Sequence, residues 1–207
     1  ALLEEALERL TGAPSEPLVR VCSRLAAELR YASRSRATEL AERAIEMARE
    51  LGDAGAPARV LDDCSFVRWS AADPLAWIAL NAEVARAAYA ASDPDLALAG
   101  HKGCVTGHLE IGDATSALRE IAACERLADE SATPVAMWWK ASLSAARDLL
   151  AGRLDAAETR IAESIELARR ARTPEIETAN RAPRAYVGPG PGRAGRGARP
   201  CGRPART

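Results

Sequence analysis

His101, Cys104 and His108 stand at i, i+3 and i+7, a spacing that puts all three on one face of a helix. Cys64 lies forty residues before Cys104. Imidazole and thiolate are the ligands that Zn²⁺ takes in tetrahedral sites, so Cys64, His101, Cys104 and His108 form a candidate metal set. A second reading competes with it. When the chain is folded on a forty-residue period, His101 shares a column with Val21, Leu61 and Ala141, and that column reads as core. The cysteines then fill small apolar gaps. No carboxylate is placed to orient the histidines. The expectation is no metal and no cofactor.

Hydrolytic chemistry has less support. His101 and His108 are the two histidines, and both fall on one predicted helix. No G-x-S-x-G elbow occurs. Paired acids such as Glu4-Glu5 and Asp62-Asp63 read as solvated helix faces. The expectation is a protein that is not an enzyme.

Binding is better served. Glu28, Arg68, His108 and Asp148 recur at forty-residue intervals with alternating sign. On stacked helices they would line a groove as a polar stripe. Alternatively they pair as Glu28–Arg68 and His108–Asp148, worth roughly 0–1 kcal/mol each at a surface. The tryptophans divide. Trp69 shares a column with Leu29, Leu109 and Leu149, and Trp138 with Leu18, Ala58 and Leu98, so both read as core. Trp139 projects about 100° away from Trp138 on the helix. Its column is mixed (Val19, Arg59, Ala99), which marks Trp139 as a contact residue. Trp77 stands where other units have Ala37, Ala117 and Ala157, and is expected to splay its helix pair. The candidate groove residues are Glu28, Arg68, His108, Asp148 and Trp139.

The period that defines these columns is the main organising signal. Met47-Ala48, Ala87-Ala88, Leu127-Ala128 and Leu167-Ala168 share one column. Pro14, Pro94, Pro134 and Pro174 share another, broken by Ala54. A fixed period of this size signals a solenoid. The units are 14–53, 54–93, 94–133 and 134–173, preceded by a half-unit at 1–13. Each unit reads as two amphipathic helices: Glu16–Ala32 with Ala37–Leu51, Pro57–Ser70 with Leu75–Ala91, Pro94–Ile111 with Thr115–Ser131, and Pro134–Ala151 with Leu154–Ala171. No stretch alternates as a strand would. The expected fold is all-α, an α-solenoid of about four helix-turn-helix repeats.

Charge separates the body from the end of the chain. Residues 1–180 hold 21 Lys and Arg against 29 Asp and Glu, a net −8. Residues 181–207 hold seven Arg and no acid. The body therefore lacks the basic footprint of a nucleic-acid binder. From Ala182 to Thr207, 22 of 26 residues are Gly, Pro, Arg or Ala, a composition that cannot offset its chain entropy by burial. Disorder is expected there. The same composition arises when a GC-rich gene is read out of frame, and an Arg/Gly-rich tail can also hold a polyanion. Thr173-Pro174 begins a fifth unit in register before the pattern ends. Five cysteines without a C-x-x-C pair suggest a reducing, cytoplasmic setting. No long apolar run or charged-then-apolar leader is present, so neither a membrane span nor a signal peptide is expected. A chain beginning at Ala1 reads as a piece of something longer.

A family resemblance rests on the last units. Leu149-Leu150-Ala151-Gly152-Arg153-Leu154-Asp155-Ala156-Ala157-Glu158 resembles the inter-helix turn of a tetratricopeptide repeat, with Gly152 and Ala157 in the small-residue places. Gly112 and Ala117 match them one unit earlier, whereas Ala32 and Ala72 replace the glycine in the first two units. The period of 40 exceeds the usual 34, implying longer helices. More broadly, residues 37–171 resemble the helical-repeat region of large bacterial ATPase-type regulators. These include LuxR-type regulators of the maltose-activator kind and ATPase-linked nucleotide cyclases. The segments that carry it are Ala48-Arg49-Glu50-Leu51-Gly52-Asp53, Leu109-Glu110-Ile111-Gly112-Asp113, Pro134 with Trp138-Trp139, and Leu150-Ala151-Gly152-Arg153-Leu154. In such proteins the region accompanies an ATP-binding module. No G-x-x-x-x-G-K-[ST] loop occurs in this chain. The resemblance implies a protein-interaction or sensor module that binds a peptide, protein or small effector. Its implied partners are protein or peptide, including an ATPase module of the same full-length chain. A free-standing scaffold and a metal-binding helical module are the alternatives.

Overall fold

The computed structural model describes residues 2–10, 12–52, 55–68 and 73–171, and the side chains of all of these save 55–57, 66 and 171. The fold is all-α. The helices among the described residues are α1 (Leu2–Arg9), α2 (Glu16–Leu29), α3 (Arg34–Leu51), α4 (Gly55–Arg68), α5 (Pro74–Ala90), α6 (Pro94–Glu110), α7 (Ala114–Ser131), α8 (Pro134–Leu150) and α9 (Leu154–Ala171). The helices α3, α5, α7 and α9 start at forty-residue steps, and α2, α4, α6 and α8 at steps of 39 or 40. The expected core role of Trp69, the turn at Ala72, the fifth unit begun at Thr173-Pro174 and the tail 181–207 lie outside the described residues.

Local chemistry sets the boundaries. Asp73, Asp93, Asp113 and Thr133 each accept a hydrogen bond from the amide three residues on, at 3.0, 2.9, 2.9 and 3.2 Å. These caps satisfy amides that the first helical turn leaves open. Pro74, Pro94 and Pro134 follow directly, where no amide hydrogen is needed. Gly112 (φ 76°) and Gly152 (φ 71°) close α6 and α8 in the left-handed conformation that glycine tolerates. Ser92 (φ 55°) and Ala132 (φ 50°) take that conformation after α5 and α7 without being glycine.

Each helix packs on the helices before and after it in the chain, and α4 also touches α2 and α6. The apolar interior is accordingly divided. One cluster runs from Leu18 to Val84, a second from Ala58 to Leu143, and a third joins Trp138 to Ala168. Burial of a residue such as Leu61 or Ile121 contributes roughly 1.5–3 kcal/mol before entropy is counted.

The α5–α6 seam is built differently. Gly100, Gly103 and Gly107 recur at i, i+3 and i+7 along α6. A Cβ at Gly100 would stand 2.6 Å from the backbone nitrogen of Ala85, and one at Gly103 would overlap the Asn81 amide. At Gly107 it would meet Ile78 and Trp77. The missing side chains let the buried indole of Trp77 reach across to α6.

Candidate binding grooves

The alternating column does not pair with itself. The exposed Glu28 carboxylate takes Arg24 of its own helix at 2.7 Å. Arg68 reaches Glu42 on α3 at 2.5 Å. His108 Nδ1 lies 3.7 Å from the Asp113 carboxylate and is buried without a hydrogen-bond partner. Asp148 is buried and takes Arg153 at 2.7 Å, across the turn that Gly152 makes. The expected Glu28–Arg68 and His108–Asp148 pairs are thus replaced by nearer partners. A forty-residue column that does bring neighbours into contact lies five residues earlier, where Ser23 Oγ donates to Asp63 at 3.5 Å.

The four candidate metal ligands do not converge either. Among the described residues, no three His, Cys, Asp or Glu are placed to hold an ion. His101 does not fill an apolar column; it is tied into a polar chain. Its Nδ1 meets Glu120 at 2.6 Å, and its Nε2 meets the Tyr89 hydroxyl at 2.9 Å. A carboxylate only accepts, so Nδ1 carries a proton; in the neutral ring Nε2 then accepts from Tyr89, and in the protonated ring it donates. The hydrogen bond from His101 holds the Glu120 carboxyl below its ordinary range. Burial pushes the Tyr89 phenol up, the wrong direction for a nucleophile. The chain ties α5, α6 and α7 together. Burial likewise pushes the Cys64, Cys104 and Cys124 thiols up to about 12, far from the thiolate a nucleophile needs.

Two grooves remain. The larger, about 780 Å³, lies between α3 and α5. Its floor includes Ile45, Val67 and Trp77. Arg49 closes one stretch of it by a two-pronged bond to Glu83, at 3.0 and 2.7 Å. Arg68–Glu42 closes another. Its charges are therefore largely matched within the wall.

The smaller groove, about 380 Å³, lies between α6 and α8. Asp95, Leu98, Ala99 and Lys102 face it from α6 at i, i+3, i+4 and i+7. Val135, Ala136 and Trp139 face it from α8. Trp138 is buried, as its column implied, and Trp139 is half-buried in the groove wall. The Lys102 ammonium sits 4.3 Å from the centre of the Trp139 ring, a cation–π contact. Asp62, forty residues before Lys102, is its counter-charge. Burial pushes the Asp62 carboxyl up and the Lys102 amine down, and each charge pulls the other back. Of the candidate groove residues, Arg68 lines the first groove and Trp139 the second; Glu28, His108 and Asp148 line neither. Sequence reasoning missed Asp62, Lys102 and Asp95. The first two carried a signal, since opposite charges share the column Cys22, Asp62, Lys102, Ser142.

No family model matches the chain, and no curated protein matches it.

Proposed function

We propose that this chain is a non-enzymatic protein-interaction or regulatory-sensor module of a bacterial signalling or transcription regulator. It is a stack of tetratricopeptide-like helix pairs that captures a peptide, protein or small effector between its first helices. The observation that carries this reading is the α6–α8 groove. An aromatic wall at Trp139, an apolar floor at Leu98 and Ala136, and a few charged groups are the usual make-up of a ligand site.

A thermal-shift screen with peptides and small effectors tests it, run on wild-type protein and on Trp139→Ala. A ligand that binds the folded state raises the melting temperature. One that stabilises the wild type and not the variant supports the reading. Ligands that act equally on both, or catalytic turnover of any of them, would sink it.

A further inference from the structure

The α6–α8 groove carries charges of opposite sign at its two ends. Asp95 stands in the first turn of α6. Its Oδ1 accepts from Ser131 Oγ at 2.5 Å and from Thr133 Oγ1 at 3.3 Å, which fixes the carboxylate beside the start of α8. Lys102 stands two turns further along, against Trp139. Seven residues at 1.5 Å rise separate their Cα atoms by about 10 Å along the helix. On α8 the contacts repeat that offset: Thr133 meets Asp95, and Trp139, six residues on and about 9 Å along the helix, meets Lys102. Between them the groove is apolar, through Leu98, Ala99 and the exposed Val135.

An acid, an apolar stretch and a base at that separation match one class of ligand. An extended chain advances about 3.3–3.6 Å per residue, so about three residues carry a free amino group and a free carboxylate the same distance apart. We infer that the α6–α8 groove binds a free apolar peptide of about three residues, its amino group at Asp95, its carboxylate at Lys102 and its central side chain against Val135 and Trp139. An interior segment of a protein lacks both terminal charges and would use half of the site. The inference rests on the binding role proposed for this groove and narrows its ligand.

The experiment is a calorimetric titration of tri-leucine, its N-acetyl form, its C-terminal amide and the doubly capped form. Free tri-leucine should bind, with Trp139 emission changing in step. Removing either terminal charge should weaken it by about ten- to a hundredfold, the range of one hydrogen bond to a charged group. Asp95→Asn should weaken the free peptide and leave the N-acetyl form unchanged, because the two changes remove the same contact. Lys102→Met should do the same for the amide. The capped forms test the idea on wild-type protein, whatever Lys102→Met does to folding beside Asp62. Capped and free peptides binding equally well would overturn the inference while leaving the groove a binding site. Binding of none would overturn it too, and the thermal-shift screen then decides the broader reading separately.

Discussion

The indole Nε1 of Trp77 donates to the backbone carbonyl of Gly103 at 2.7 Å, across the α5–α6 seam. Asn81, one turn further along α5, donates back to the Trp77 carbonyl at 2.9 Å. The bulkiest residue of α5 is thus seated where α6 has no side chains.

Replacing those glycines should show the seam's tolerance. Alanine is normally the better helix former by about 1 kcal/mol. Here Gly100→Ala should destabilise by about 1–3 kcal/mol, because the new methyl meets the Ala85 backbone, which cannot turn aside. Gly107→Ala should cost less, since the new methyl meets the side chains of Ile78 and Trp77 and no backbone. Urea unfolding monitored by circular dichroism gives the order. A Gly100→Ala protein as stable as wild type would contradict the packing described.

The left-handed turns invite the opposite change. Ala132 holds φ 50° after α7, a conformation costing a side-chain-bearing residue roughly 1–2 kcal/mol. Ala132→Gly should therefore gain stability, less the extra entropy of glycine in the unfolded chain, about 0.5–1 kcal/mol. Gly152→Ala should lose about 1 kcal/mol at φ 71°. Melting temperatures of the two variants should move in opposite directions.

The period made these turns and the helix starts legible, because capping and helix length are local chemistry repeated in register. Asp73 followed by Pro74 shows how: an N-cap side chain and a first-turn proline start α5 by local chemistry alone. What the columns did not settle was pairing. Glu28 and Arg68 share a column, yet long side chains choose by reach, and Arg24 lies one turn from Glu28 while Glu42 lies beside Arg68. The glycine stripe on α6 was visible at i, i+3 and i+7, but its meaning depended on knowing that Trp77 faces it.

Asp148 offers a test of burial against exposure. Arg153→Met leaves the Asp148 carboxylate buried without its guanidinium partner and should cost about 1–3 kcal/mol. Arg24→Met removes an exposed pair with Glu28 and should change stability by about 0–1 kcal/mol. Equal effects in chemical denaturation would mean that Asp148 is solvated after all.

Glu120 sets an acid limb. Its carboxyl is held below the ordinary value by the hydrogen bond from His101. A depressed carboxyl contributes stability that is fully present above its unfolded value, near 4.5, and is lost as pH falls through the folded value. Glu120→Gln should lower stability at neutral pH and flatten the loss below that range. Denaturation midpoints measured across the acid range check it; parallel curves for variant and wild type would exclude the linkage.

Trp138 and Trp139 hold their ring centres 4.2 Å apart at a 58° tilt. Two identical chromophores so close and so inclined share their excited states, so the pair should give a bisignate band in circular dichroism. One indole is locked in the interior and the other faces the groove. Any occupant that turns Trp139 changes the coupling, which gives the protein an optical reporter of occupancy without a dye.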